Sequence, residues 1–600
     1  MSTPCLILDD AAERRLKAFS RPHKVIRADR PEEVRRALDA VEEARAAGQF
    51  VAGYVSYELG YFLEAKLTQR APHNRVLPLL WFGVFDAPAV IEAEGIEVAL
   101  ERWSAGRAYA GPLRHDWDEA AYGVRFARVK ALIAAGDIYQ ANLTFRSRFA
   151  FAGDPLALYR RLRARSAAPH AAYVDDGERR ILSLSPELFF SVTRDGTITA
   201  RPMKGTAPRG ADDVSDLLAR RGLAESPKDR AENLMIVDLL RNDLGRLACT
   251  GSVSVPQLFS VETYPTLHQM ISVVTAQLKP GLSAADLLRA LFPCGSVTGA
   301  PKIRAMEVIA DLEADRRGIY CGAIGCFAPD GSAAFNVAIR TLTIAGGEGE
   351  LGIGGAVVQD SDVAAEYAEC LLKARYYDAG RRPLGLIETL RWSPDEGFVR
   401  LDLHLSRMAR SARIFNIAFD EGQARQTLQA ALPSSSVNGG RAGEGGTQNV
   451  ALRLRLSLGE QGRFNCTAAP LPPGKPSWSF AISPLRVRSA DVLARHKTDW
   501  RDLYEAEFVR LARDGACDEV VFVNERGEVA EGSRTSVFVR RGGRLVTPPL
   551  SAGILEGVLR QSLIAQGRCE EGVLRPEDLT GDVYLGNSLR GLTPARRAPS

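Results

Sequence analysis

Between Asp378 and Gly385 the sequence reads DAGRRPLG, a short run of Gly, Pro and Arg with turn chemistry. A helix-like pattern over 363–377 leads into it, and a strand-like segment, LIETLRW, leads out. A chain of 600 residues is more than one hydrophobic core can organise, so the chain is expected to divide here. The expected parts are an N-terminal subdomain over 1–115, a larger domain over 116–378, a linker over 379–384 and a further domain over 385–600. Inside the last, 433–449 read PSSSVNGGRAGEGGTQN, with one aliphatic residue, and are expected to form a flexible surface loop. The alternating ALRLRLSLG that follows is a period-two strand.

Composition excludes several classes. The chain is 46% hydrophobic and 25% charged, as soluble globular proteins are. Its net charge of +4 is small and its arginines are scattered among acids, so no nucleic-acid partner is expected. The nine cysteines are dispersed without a CxxC pair, which fits reduced thiols better than a disulfide framework or a zinc site. MSTPCLILDDAAERR places acids where a signal peptide needs basic and then apolar residues. No run approaches the roughly 18 apolar residues of a membrane span. A cytoplasmic protein with no membrane partner is expected.

Two segments could carry metal chemistry. In SPKDRAENLMIVDLLRNDLGRL, Ser226 suits a helix N-cap and Pro227 the first helical position, which puts Glu232 one to two turns in. In DSDVAAEYAECLLKARYY, Glu366, Glu369 and Lys373 are spaced i, i+3, i+7 and share a helix face. Two helices that each present a carboxylate could clamp a hard divalent ion such as magnesium. By spacing alone, solvated glutamates on amphipathic helices are the plainer reading.

Four stretches shift that balance: KDRAEN…VDLLRNDLGR, PCGSVTGAPKIRAME, YCGAIG and GIGGAVVQDSDVAAEYAE. In this order they resemble the chorismate-utilising enzymes, a family that includes anthranilate synthase component I, aminodeoxychorismate synthase component I, isochorismate synthase and salicylate synthase. The resemblance runs over 120–376. It implies an α+β fold of facing antiparallel sheets flanked by helices, with chorismate as substrate. It implies Glu232 and Glu369, with Glu366 beside them, as ligands of a Mg2+ ion that neutralises the ring carboxylate. Glu187, in LSPELFF, resembles the general acid that assists departure of the C4 hydroxyl, and nearby negative charge would raise its pKa. His268, in YPTLHQM, falls at the family's active-site histidine, although a lone His in an apolar strand is by itself more often structural. Arg340 and Tyr320 resemble the residues that bind the enolpyruvyl carboxylate. Thr298, Gly325, Gly355 and Lys373 resemble further substrate-binding positions, the glycines allowing close approach of backbone N–H groups.

Two positions separate the members of this family. Isochorismate and salicylate synthases carry a Lys where this chain has Gln140, in GDIYQANLT. A glutamine has no group that titrates usefully, so water-based C2 chemistry is not expected. Lys204, in RPMKGTAPRG, stands where anthranilate synthases usually have a small residue and where aminodeoxychorismate synthases have Lys. The resemblance implies that the Lys204 amine adds at C2 as the C4 hydroxyl leaves, and that ammonia then attacks C4 and expels the lysine. No nucleophile-elbow Cys with a paired His and Glu accompanies the chain. Ammonia is expected from solution or from a separate glutamine amidotransferase subunit.

The C-terminal part contains LDLHLSRMARSARIF, HKTDWRDLY, DEVVFVNERGEVAEGSRTSVFV and LSAGILEGVLRQSL. In order these resemble fold-type IV pyridoxal-phosphate enzymes, which include branched-chain and D-amino-acid aminotransferases and 4-amino-4-deoxychorismate lyase. The implied fold is a two-lobed α/β domain with the cofactor, pyridoxal 5'-phosphate, between the lobes. Lys497 would hold the cofactor covalently and move protons, and Glu531 would pair with the pyridine nitrogen. Arg407 would bind the phosphate, together with backbone N–H groups of Gly557, Val558 and Leu559 where a helix begins. Asn587 and Ser588, in YLGNSLRG, fall at a second phosphate or substrate contact. The usual N-terminal segment of this fold is cut here to GLIETLRW, with Thr389 where some lyases have an active-site Thr.

Lyase and aminotransferase stay open on this half alone. Fusion to a synthase whose product the lyase consumes favours production of 4-aminobenzoate, a folate precursor. The alternative is an anthranilate synthase component I fused to an aminotransferase-like domain.

Overall fold

A computed structural model describes residues 5–10, 13–166, 168–264, 267–433 and 450–599. The loop expected over 433–449 lies outside the described residues, Pro433 excepted. The chain forms two compact units. The first holds 1–104, 112–149 and 155–380. The second holds 105–111, 150–154 and 381–600. The sequence reading assigned nothing before residue 379 to the second unit, and the two short early segments carry no sequence signal that would have placed them there.

The first unit is built on two large sheets. One runs through Gln140–Gly153, Glu348–Val357, Thr341–Ala345, Arg180–Ser185, His170–Asp175 and Leu6–Asp10. The other runs through Met203–Pro208, Leu267–Gln277, Thr197–Arg201, Leu188–Val192, Ala333–Val337, Ala323–Phe327 and Phe50–Val55. Strands from the first 115 residues pair antiparallel into both, with Leu6 opposite Val174 and Val55 opposite Ala323. The sheets face each other: Leu6, Val174 and Ile181 of one share an apolar cluster with Tyr54, Trp81 and Ile324 of the other. This is the expected α+β architecture.

Helix starts follow local chemistry. Ser226 accepts a hydrogen bond from the Asp229 amide at 3.3 Å, with Pro227 in the first turn of the helix Pro227–Gly245. Asp118 caps Glu119–Ala134 in the same way. The helix Val363–Gly380 follows and packs on the strand Glu348–Val357.

The second unit has two lobes. Its four-stranded sheet runs Gly397–Phe398, Leu386–Ser393, Leu452–Leu458, Phe464–Pro470. In LRLRLSL the leucines at 452, 454, 456 and 458 are buried while Arg453 and Arg455 are exposed, as period two requires. Helices Leu401–Ile414 and Glu421–Ala430 close this lobe's core. The eight-stranded sheet of the other lobe is mixed: Trp478–Val487 pairs parallel with both Glu519–Asn524 and Gly591–Arg597.

Candidate active sites

In the first unit, the two helices, one edge strand and the turn before Leu188–Val192 bring six predicted residues into a common electrostatic field. Lys204 lies on the edge strand Met203–Pro208, half-buried. Burial lowers its pKa, Glu232, Glu187 and Glu369 oppose that, and Lys373 adds to it. Glu187 is 3% exposed, and burial pushes its carboxyl up to about 7 against the opposing Ser296 hydroxyl and Lys204. The Ser296 hydroxyl donates to Glu187 Oε1 at 2.8 Å. Burial also raises Glu232, to which Glu366 adds, and Glu366, to which Glu369 adds. Ser361 donates to Glu366 Oε1 at 2.8 Å. Glu369 differs: burial would raise it, but Lys373 at 2.9 Å, Lys204 and Lys228 hold it below its ordinary range. Gly355 lies against this group, since a Cβ there would sit 3.4 Å from Glu366 Oε2 and 3.5 Å from Lys373 Nζ.

Arg340 is a cation without an acid. Among the described residues no carboxylate pairs with it; burial lowers its pKa, and Tyr376 and Tyr264 oppose that. Its backbone takes φ 48°, a left-handed conformation that non-glycine residues rarely adopt. The buried Tyr376 hydroxyl has no hydrogen-bond partner among the described residues. Tyr320 is buried and senses Cys370, which in turn senses Glu366 and Glu369. Both side-chain amide atoms of Gln140 are likewise buried and unpartnered among the described residues.

Three predicted residues are occupied in other ways. Both ring nitrogens of His268 are engaged, with Thr263 Oγ1 at 3.0 Å and Asp216 Oδ1 at 3.0 Å. The Thr298 hydroxyl turns back on the carbonyls of Cys294 and Gly295 at 3.1 and 3.2 Å. Gly325 is required by strand packing, since a Cβ would come within 2.0 Å of the Ala334 carbonyl oxygen.

In the second unit a cavity of about 1050 Å³ is lined by Lys497, Glu531, Gly557, Arg407, Asn587 and Thr389, among others. Lys497 lies on the loop between the turn Val492–Arg495 and the helix Asp502–Leu511. Burial lowers its pKa to about 8, Arg407 adds to that, and Glu388 opposes it. Burial raises Glu531, which accepts from Tyr504 at 2.8 Å and from the Leu555 amide at 3.0 Å. Gly557 caps the helix Val558–Ala565, and a Cβ there would meet Ser536 Oγ at 2.5 Å. Arg407 donates Nε and Nη2 to Glu388 at 2.8 and 2.6 Å and Nη1 to the Glu556 carbonyl at 2.9 Å. Two of its five N–H groups remain. Glu388 also holds His404 Nδ1 at 2.6 Å, and His404 Nε2 meets Ser588 Oγ at 2.9 Å. The Asn587 side-chain oxygen accepts from the amides of Leu589 and Arg590, holding that turn.

Residues 3–377 match the family model for chorismate binding enzyme. The chain belongs to the chorismate binding enzyme family. Residues 385–598 match a second model, that of amino-transferase class IV, so two enzyme domains are fused in one chain. Among relatives, aminodeoxychorismate synthase component 1 of Klebsiella aerogenes is 43% identical over 334 residues, 53% of this chain and 74% of that protein. Anthranilate synthase component 1 of Streptomyces coelicolor is 43% identical over 259 residues, 43% of this chain and 50% of that protein. Among solved structures, anthranilate synthase component I from Streptococcus pneumoniae aligns with a TM-score of 0.51 at 26% identity, covering 63% of this chain and 93% of that one.

As a chorismate binding enzyme the chain also shows site residues that sequence reasoning did not single out. Ser296 lies inside the motif PCGSVTGAPK and orients Glu187. Tyr376 stands at i+7 from Glu369, on the face already assigned to Glu366, Glu369 and Lys373, so the helical spacing carried that signal. In the amino-transferase domain the missed residue is Glu388, an acid within the apolar strand LIETLRW. Among the described residues no three His, Cys, Asp or Glu side chains converge closely enough to hold a metal. Glu232, Glu366 and Glu369 thus share a field without sharing a coordination point. Their chemistry still suits a hard cation: the donors are carboxylate oxygens, and burial holds Glu232 and Glu366 above their ordinary range despite the lysines nearby, a cost that a bound cation would offset. Among the described residues no helix is long and apolar enough to cross a membrane.

Proposed function

We propose that this chain makes 4-aminobenzoate from chorismate in two steps, one in each unit. The observation that carries the first step is the opposed pair at Lys204 and Glu187. Burial pushes the lysine down toward its neutral, nucleophilic form and the carboxyl up toward its protonated form, and each senses the other. The Lys204 amine adds to ring C2, the two ring double bonds shift, and the C4 hydroxyl departs as water with the Glu187 proton. Ammonia then adds at C4, the double bonds shift back, and Lys204 leaves C2. The product is 4-amino-4-deoxychorismate. Arg340, without a carboxylate partner among the described residues, would bind a substrate carboxylate with Tyr376 and Tyr320 nearby. Glu232, Glu366 and Glu369 would hold Mg2+, which supplies charge neutralisation for a second carboxylate. Gln140 offers an amide and no base, which argues against water as the nucleophile at C2.

In the second unit, pyridoxal phosphate would be held by Lys497, by Glu531 at its pyridine nitrogen, and by the Gly557–Leu559 amides with Arg407 at its phosphate. When bound it supplies an electron sink for a substrate amine. Lys497, with its pKa near 8, accepts the C4 proton. The C3–O bond breaks, the enolpyruvyl group leaves as pyruvate, and the ring becomes aromatic. The 43% identity to a component 1 synthase supports a separate glutamine amidotransferase as the ammonia source. All nine cysteines are free thiols, which supports a cytoplasmic setting. The test supplies chorismate, ammonium and magnesium to the cofactor-loaded chain and identifies the product by mass and chromatography. Formation of 4-aminobenzoate with pyruvate is expected, and 2-aminobenzoate would overturn the proposal.

A further inference from the structure

Segment 105–111 lies within the residues matched to the chorismate family, yet it belongs to the second unit. It pairs with the end of the strand Gln140–Gly153, Tyr109 opposite Ala152. Gly153 is needed there: it takes φ 103°, and a Cβ would fall 2.1 Å from the Arg107 carbonyl oxygen. Tyr109 is fully buried in the core of the four-stranded lobe, edge-on to Phe415 with ring centroids 5.0 Å apart. The segment therefore packs into the core of this lobe, together with Ala150 and Ala152, although the lobe's own sheet begins only at Leu386.

Arg107 follows from that placement. Its Nε donates to Asp491 Oδ2 at 2.8 Å and its Nη1 to the Trp500 carbonyl at 2.9 Å. Asp491 accepts in turn from the Leu493 amide at 3.0 Å, starting the turn that precedes Lys497. Trp500 closes the same loop, its indole donating to the Pro383 carbonyl at 2.7 Å. One guanidinium thus bridges the two ends of the ten-residue loop 491–500 that carries Lys497, and it lines the same cavity. Planar, two-point donation of this kind is what an arginine offers and a lysine does not.

We infer that Arg107 is a positioning residue for Lys497, so that chemistry in the second unit depends on a residue some 390 positions earlier in the chain. The inference rests on the proposed lyase reading only for its activity readout. The test uses the full chain carrying Arg107→Ala or Arg107→Lys. Amide hydrogen exchange is followed by mass spectrometry without cofactor or substrate. Losing charge-assisted bonds at both ends of the loop should speed exchange across 491–500 by about tenfold or more, with 519–524 unchanged. Arg107→Lys should fall between. In the loaded chain, kcat for pyruvate release should drop about tenfold in Arg107→Ala with KM little changed, and partly recover in Arg107→Lys. Unchanged exchange over 491–500 would overturn the inference. If Arg107→Ala also loosens 519–524, Asp491→Asn decides: faster exchange confined to 491–500 supports the role, and none refutes it. A wild-type chain that shows the exchange contrast but releases no pyruvate would reject the lyase reading and leave the positioning role standing.

Discussion

Replacing Glu187 with Gln should stabilise the first unit at alkaline pH while removing its proton donor. Burial moves this carboxyl from its ordinary 4.5 to about 7. At roughly 1.4 kcal/mol per pH unit that corresponds to about 3 kcal/mol. The sign follows from which state gives up its proton first. Below about 4.5 both folded and unfolded chains keep the proton and there is no penalty. Between 4.5 and 7 the unfolded chain ionises first, so stability falls as pH rises, and above 7 the full penalty persists. Glutamine is neutral throughout and keeps an oxygen to accept the Ser296 hydroxyl. Urea unfolding of both proteins at pH 4.5 and 8.5, with exchange of first-unit peptides to assign the transition, should show a small difference at the lower pH. At the higher pH the variant should be more stable by about 3 kcal/mol. Ammonia-dependent turnover should fall about 10²- to 10⁴-fold. A stability difference independent of pH, or a variant less stable at pH 8.5, would refute the buried-acid argument.

Lys204→Ala should lose ammonia-dependent turnover by about 10³-fold or more while chorismate still binds; calorimetric titration with near wild-type turnover would remove the covalent step. Glu232→Gln or Glu369→Gln should weaken magnesium binding about tenfold or more and stop the first step, while added 4-amino-4-deoxychorismate is still converted. Loss of both activities in a folded variant would contradict two independent sites. Lys497→Ala should abolish the visible absorbance of the covalently held cofactor and the release of pyruvate, so that 4-amino-4-deoxychorismate accumulates. Normal output of 4-aminobenzoate by that variant would sink the assignment of the second unit.

Features set by neighbours in the chain were legible from the sequence. The Ser226–Pro227 helix start, the shared face of Glu366, Glu369 and Lys373, and the alternating burial of LRLRLSL each depend on residues a few positions apart. Ordered motifs were enough to separate two families along the chain. Which side chains are already spoken for could not be read that way, because that depends on groups far apart in sequence. His268 meets Asp216 from another element, Arg407 spends three donors on Glu388 and the Glu556 carbonyl, and Gly325 answers to a neighbouring strand. The depth that raises the Glu187 pKa and lowers that of Lys204 is likewise a property of packing. Arg107 is the extreme case: nothing in AGRAYAG signals a role beside Lys497, because the bridge to Asp491 and Trp500 exists only once 105–111 has packed into a lobe whose own sheet begins at Leu386.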